Sequence, residues 1–375
     1  MRILHVADLH LAPRLEYIED RDRRARRRED FALTAGRLPE LVREHGAACV
    51  MLAGDVFDRD LPALPEVGRL ARALEACTVP VLVVPGTHDA WHQGGVWDRA
   101  WPPNVTIIKQ DRWTVHRVGP LAVYALASLG RPLPGPLFGT LPDPDQDARW
   151  HVGLVHASLL WADVRAKVDA KNFPFEEPEL DSTGLDYVAL GDHHRTRIVR
   201  RPTGVVAAYP GSPEGLGFDR AEAGPRHVLL VDLDASGARV TELPVNRREV
   251  VVEQVDVGSL EGDSPGDMAE AVRRRMAARA GPDRLGRFEL VGILHEPLAL
   301  DLGAIEAGCR DDWFLLQLRD RTRTLPRRQV ESGTIRAAFE ARMQARIAAA
   351  GDGDRRDLAE MALRLGLKAL EGLQV

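Results

Sequence analysis

RILHVADLHL (Arg2–Leu11) is an apolar run that stops on a carboxylate and an imidazole two residues apart. Ile3–Ala7 reads as a buried strand. On an extended continuation of it, Asp8 and His10 share a face. The same form recurs along the chain. The apolar run Cys49–Ala53 ends in GDVFD, which supplies Asp55 and Asp58. Val79–Val84 ends in PGTHD, with Thr87, His88 and Asp89. Val152–Val155 leads through LVHAS to His156, and Tyr187–Leu190 ends in GDHH, with Asp192, His193 and His194. Any one fragment is weak, because a lone DxH is usually a solvated turn and a single His after a strand is more often structural. Five in order, each at a strand's carboxyl end, where open α/β sheets place their sites, point to a metal centre. Gly54, Gly86 and Gly191 are expected to let the backbone turn sharply there.

Helical periodicity lies between several of these strands. Asp20–His45 is helical with a bend or break at Gly36 and Pro39, and Pro65–Ala76 is a shorter helix. This alternation implies an α/β fold with a central sheet, to which Leu121–Leu126 adds another buried strand. Strands at Val205–Ala208, His227–Asp232 and Arg239–Leu243 follow without long helices, so the later part is more antiparallel. Gly130–Asp147 is rich in Pro and Gly and reads as one long loop. From Asn246 the texture changes to a smaller α+β domain. It has strands at Val250–Val257, Arg287–Leu294 and Trp313–Leu318, and helices at Gly266–Ala280, Glu331–Ala350 and Arg355–Leu373. The expected division is residues 1–245 and 246–375.

The chain has 375 residues, 45% of them hydrophobic and 28% charged, which suits a globular protein with a large core. A net charge of −6 argues against coating nucleic acid by bulk charge but leaves a local basic groove open. All but four of the 50 basic residues are arginine. Cys49, Cys77 and Cys309 are scattered and form no disulfide framework or cysteine zinc pattern, so a reducing, cytoplasmic setting is expected. The first residues meet a charge too early for a signal peptide. No apolar run approaches the ~20 residues of a membrane helix.

The order DxH, GDxxD, GxHD, H, GxxH resembles the calcineurin-like metallophosphoesterases, and more closely the SbcD-type DNA repair nucleases. Supporting stretches are RILHVADLHL, the Arg-rich helix before GDVFDRDLP, and AYPGSPEGLGFD followed by HVLLVDL. The resemblance covers residues 1–245 by motif and the remainder by position only, as a capping and partner-binding domain. It implies a β-sandwich flanked by helices and two divalent ions, Mn²⁺ first, with Fe²⁺ and Zn²⁺ as alternatives. It assigns Asp8, His10, Asp55 and His194 to one ion. Asp55, His156, Thr87 and Asp192 fall to the other, with Asp55 bridging. His88 would protonate the leaving oxygen and Asp58 would orient it. It also implies duplex DNA ends as substrate, a homodimer and an SbcC-like ATPase partner.

Two departures fall on the second ion. The family's GHxH reads GDHH here, and its GNHD reads GTHD. Spacing favours Asp192 as the replacement ligand, with His193 as the alternative. Thr87 binds through its hydroxyl, through a water, or not at all. Arg14, Arg59, Arg195 and Arg197, beside the motifs, are candidate phosphate contacts. The run RDRRARRRED (Arg21–Asp30) reads as a solvated, ion-paired helix in preference to a DNA track. Trp91, Trp97 and Trp101 read as loop packing before base stacking, and His5 and His151 as sheet residues. Rival readings are a small-molecule phosphodiesterase and a non-catalytic DNA- or ATPase-binding subunit.

Overall fold

The computed structural model describes residues 1–161, 168–260, 264–295, 300–325, 334–350 and 354–370. A first sheet opens with β1 (Arg2–Val6), β2 (Cys49–Ala53), β3 (Val81–Val84) and β4 (Val105–Ile107). A second comprises β5 (Thr114–Val118), β6 (Leu121–Leu126), β7 (Trp150–His156), β8 (Tyr187–Gly191), β9 (Arg197–Arg200) and β10 (Val206–Tyr209). The chain then returns to the first sheet with β11 (His227–Asp234) and β12 (Gly237–Pro244). The orders are β12-β11-β1-β2-β3-β4 and β5-β6-β7-β8-β10-β9. Strands β1 to β4 are parallel, as are β6, β7 and β8, while β11 and β12 run antiparallel at one edge. The register Val6–Leu52–Val83 brings the carboxyl ends of β1, β2 and β3 level, and His156 opposite Gly191 does the same for β7 and β8.

Alternation along each strand builds the layers. Ile3 of β1 and Ala7, just after it, point between the sheets, in one core with Met51, Leu82, Leu154 and Ala189. Leu4 and Val6 point outward, onto α1 (Arg21–Gly36), α2 (Leu38–His45) and α3 (Leu64–Ala76), through Phe31, Leu41, Leu70 and Leu74. Strands buried on both faces read as continuous apolar runs, which is why these were legible. The other face of the second sheet is covered by Leu137 and Phe138 of the Pro/Gly-rich loop, together with Phe173, Phe175 and Leu180. The helical stretch breaks at Arg37, and Pro39 lies in the first turn of α2, where its missing N–H costs no helical bond.

A third sheet is parallel throughout: β13 (Glu249–Asp256), β14 (Gly281–His295) and β15 (Trp313–Leu325), in that order. Helices α4 (Pro265–Ala277) and α5 (Leu302–Ala307) close a core around Val272, Met276, Phe288 and Ile305. Val250, Leu285 and Phe314 pack on Phe218, which joins this sheet to the sandwich. The last two helices, α6 (Ile335–Ala349) and α7 (Asp354–Leu370), pack on each other where Gly366 meets the Phe339 ring. The ends of the helices expected at 331–333 and 371–373 lie outside the described residues. No helix among the described residues is long and apolar enough to cross a membrane.

Candidate metal centre

The strand-end loops do not continue as extended chain. Asp8, His10 and Asp55 have φ of 51°, 42° and 47°, and Asp192 has 108°. Left-handed backbone at non-glycine residues costs on the order of 1–3 kcal/mol each and clusters at functional sites. Strand alternation therefore does not place Asp8 beside His10. Backbone bonds between the first two loops do. The Asp8 N–H donates to the Gly54 carbonyl (3.0 Å), His10 N–H to the Asp55 carbonyl (3.0 Å) and Leu11 N–H to the Val56 carbonyl (2.9 Å). Gly54, at φ 85°, makes the expected sharp turn. Gly86 and Gly191 serve a different purpose, because a Cβ there would lie 2.1 Å from Asp55 Oδ1 and 1.8 Å from the Ala53 carbonyl oxygen, respectively.

Three imidazoles turn Nε2 towards one centre, each with Nδ1 facing an outer acceptor. His156 Nδ1 donates to the Ala53 carbonyl at 2.9 Å, and its Nε2 lies 3.3 Å from Asp55 Oδ2 and 3.7 Å from Asp192 Oδ1. His194 Nδ1 donates to Glu222 Oε1 at 2.5 Å. His10 Nδ1 faces Asp58 Oδ1 at 3.3 Å, and its Nε2 is 3.1 Å from His194 Nε2. Ligand atoms in each of three groups, Asp8–His10–His194, Asp8–Asp55–His156 and His10–Asp58–His88, lie within 4.8 Å of one another.

The fold leaves this centre unsatisfied. His156 Nε2, which points into it, is buried without a hydrogen-bond partner, and His10 Nδ1, on the Asp58 side, also lacks one. The facing Nε2 atoms of His10 and His194 can share only one proton. Asp8 and Asp55 are both buried, and burial lifts the Asp8 carboxyl above its ordinary range. Burial also pushes Asp55 up, but His156 overcomes it and holds that carboxyl far below. Burial lowers His156, and the negative charge of Asp55, 3.3 Å from Nε2, outweighs this and raises it well above the usual value. Converging lone pairs and buried carboxylates of this kind fit divalent cations, with mixed oxygen and nitrogen donors suiting Mn²⁺, Fe²⁺ or Zn²⁺.

Asp192 joins the cluster through its N–H, 3.1 Å from Asp8 Oδ1, and its carboxylate accepts from the Ser158 hydroxyl and from Asn172 Nδ2. His193 turns away, its Nε2 3.2 Å from the Leu159 carbonyl and its ring against Trp161 and Tyr209. Thr87 is half-buried in the turn before His88 and has no side-chain hydrogen bond to another described residue. The His88 N–H donates to Asp55 Oδ1 at 2.8 Å, and its half-exposed ring stands edge-on to His10. Asp58 is shared, 3.3 Å from His10 Nδ1 and 3.8 Å from His88 Nδ1.

Arg14, Arg59 and Arg195 are exposed near the motifs. Arg59 donates to the Ala12 carbonyl, and Arg14 lies 3.8 Å from Glu16. Arg197 instead lies over the Trp161 ring. The Arg-rich helix is not simply solvated. Arg24 and Arg28 donate to the Ile18 and Pro13 carbonyls, which anchors the loop after His10, and Arg27 is wholly buried against Glu214. Trp97 is buried and stacks on Trp101. Sequence reasoning passed over Glu222, Ser158, Asn172 and the Ala53 carbonyl. None carries a local motif, although Glu222 follows closely on the YPGS stretch singled out as a resemblance.

Comparison with known proteins supports this picture. YhaO of Bacillus subtilis, described as an uncharacterized metallophosphoesterase, is 29% identical over 57% of this chain and 53% of its own length. The chain thus spans about half of that relative. The DNA double-strand break repair protein Mre11 of Methanopyrus kandleri is 26% identical over 89% of this chain and 72% of its own. The SbcD component of the B. subtilis nuclease SbcCD is 27% identical over 62% and 66%. A family model described as calcineurin-like phosphoesterase matches residues 1–196, more than half of the chain, over the strands and loops that carry the cluster. With that match and this centre, the chain belongs to the calcineurin-like phosphoesterase family.

Proposed function

We propose that this protein is a two-metal-dependent phosphodiesterase acting on DNA, an exo- or endonuclease of DNA end processing. The observation that carries this is the unsatisfied cluster of buried ligand atoms with the half-exposed His88 ring at its edge. The likeness to Mre11 and to the SbcD component of SbcCD supports DNA as the substrate. In this reading residues 1–245 form the catalytic body and 246–375 a capping and partner-binding domain. The chain works as a homodimer with an SbcC-like ATPase, for which the exposed Leu358, Met361 and Leu365 of α7 offer an apolar contact.

Asp8, His10, Asp55 and His194 would hold one ion. Asp55, His156, Asp192 and, directly or through water, Thr87 would hold the second. When bound, such a pair, Mn²⁺ by first choice, supplies positive charge at the phosphoryl oxygens and acidifies a water for in-line attack. The protein's own contribution is positional and acid–base. The Asp55 carboxylate fixes the His88 backbone, and Asp58 faces His88 Nδ1, so Nε2 is left to give a proton to the leaving oxygen. Arg14, Arg59 and Arg195 would meet the flanking phosphates.

The test is nucleotide release from an end-labelled duplex in a Mn²⁺ titration, with wild type beside His88→Ala. Cleavage by wild type should fall about 10²–10⁴-fold in the variant while Mn²⁺ binding persists. Absence of cleavage by wild type, with or without an ATPase partner, would sink the DNA reading. A small phosphodiester hydrolysed in its place would identify the small-molecule alternative.

A further inference from the structure

We propose that Glu222 is a positioning residue for the metal centre, acting through His194, and that the segment Gly211–Arg226 is built as its bracket. The carboxylate is buried, and every contact it makes has a direction. Oε1 accepts from His194 Nδ1 at 2.5 Å, while Oε2 accepts from the Ser212 hydroxyl at 3.0 Å and from the Leu216 N–H at 3.1 Å. Glu222 therefore cannot rotate without giving up two bonds on its far side. The His194 ring is fixed with Nδ1–H outward and the Nε2 lone pair inward, facing His10.

The backbone of His194 is held from the same segment. Its carbonyl accepts from the Ser212 N–H at 3.1 Å and from the Arg226 guanidinium, which also donates to the Ser212 carbonyl, the Ser212 hydroxyl and the Ala221 carbonyl. Gly211, at φ 79°, permits this approach, since a Cβ there would lie 2.4 Å from the His194 carbonyl oxygen. One ligand is thus gripped at both side chain and backbone by a stretch of chain that contributes no ligand itself.

A buried ion pair is a poor means of stabilising a fold, because an apolar pair of similar volume does as well or better. A carboxylate behind a ligating imidazole does have a use. It sets the tautomer and ring plane and strengthens the imidazole as a donor, and loss of such partners typically costs about 10–100-fold in metal affinity. The Ser212 hydroxyl and the Leu216 N–H hold that carboxylate in place. The inference rests on the metal-site reading but not on DNA as substrate.

The experiment is Mn²⁺ binding to the full chain without nucleic acid, followed by the electron paramagnetic resonance signal of the free ion. Wild type is compared with Glu222→Gln, Glu222→Asp and Ser212→Ala, each with a thermal melt of the metal-free protein. Glu222→Gln keeps the shape and loses the charge. It should weaken one of the two binding steps about 10–100-fold and leave the other close to wild type, with the metal-free melt lowered but still cooperative because the amide leaves one buried donor without an acceptor. Glu222→Asp, one methylene short of His194, should not restore it. Ser212→Ala retains the carboxylate and frees it on one side, so a smaller loss at the same step is expected. Wild-type affinity at both steps in Glu222→Gln would overturn the proposal. Should that variant not fold, unchanged affinity in Ser212→Ala would overturn it equally. Normal Mn²⁺ binding with no DNA cleavage would instead count against the nuclease reading alone.

Discussion

Asp89 shows how a single side chain can serve the centre without facing it. The residue is fully buried directly after His88, and its two oxygens take three backbone donors: Val56 N–H at 2.9 Å, Phe57 N–H at 3.0 Å and Gly86 N–H at 2.8 Å. It ties the loop carrying Asp55 and Asp58 to the loop carrying Thr87 and His88. Asn at this position has one acceptor oxygen, so at least one buried N–H loses its partner. Asp89→Asn should lower stability by about 1–3 kcal/mol, read as an earlier urea midpoint at unchanged slope. A midpoint equal to wild type would show that the carboxylate is not the tie. At this scale the sequence is readable for residue type. Asp8, His10, Asp55, His156, Asp192 and His194 stand at strand ends, and the structure gathers all six. What Asp89 and Glu222 touch was not readable, because Asp89 bonds 32 and 33 residues away and Glu222 bonds across 28. Only the folded chain brings these partners together.

Elements were legible in proportion to their burial. Strands β2 and β6 match their apolar runs residue for residue, because both faces are covered and every position is apolar. Strands β4, β5 and β9 left no such run. They are three to five residues long and partly exposed, and β5 carries Thr, His and Arg among its five residues. The loops between elements are governed by space, as the glycines show. At Gly86 the obstacle is the Asp55 backbone nitrogen, 2.3 Å from the position of a Cβ, as well as its carboxylate. Backbone cannot rotate aside, so Gly86→Ala must displace the turn. The expected cost is about 1–3 kcal/mol of overpacking, with loss of Mn²⁺ binding at the step that uses Asp55. Gly36, at the end of α1, has nothing within 4 Å, so Gly36→Ala should leave binding intact and stabilise by up to about 1 kcal/mol. Thermal melts with Mn²⁺ titrations separate the two outcomes. Equal behaviour of both variants would refute the steric account.

At the scale of the whole molecule, the question is what ties the third sheet to the sandwich. The change of texture near Asn246 falls between β12 and β13, but the contacts across that junction come from distant parts of the chain. Arg248 lies at the crossing. Its Nε donates to Asp30 of α1 at 2.8 Å, its Nη1 to Asp283 at 2.6 Å, and its guanidinium stacks 3.8 Å from the Phe314 ring centre. Asp30 is buried and keeps two other arginines nearby, Arg27 at 3.4 Å and Arg247 at 3.6 Å, so removing Arg248 does not leave it alone. Asp283 is mostly exposed, and solvent discounts that pair. The cation–π contact and the bond to Asp30 remain as the main contributions, together about 2–4 kcal/mol. Arg248→Ala should therefore loosen the junction more than either body. Calorimetry should show the third sheet melting ahead of the sandwich where wild type gives one transition. Arg248→Lys should recover little, since an ammonium cannot reach two carboxylates while stacking flat on Phe314. If both variants melt as wild type does, cohesion across the junction must come from the apolar contacts of Phe218, Val250 and Leu285. The guanidinium would then be a passenger on a hydrophobic joint.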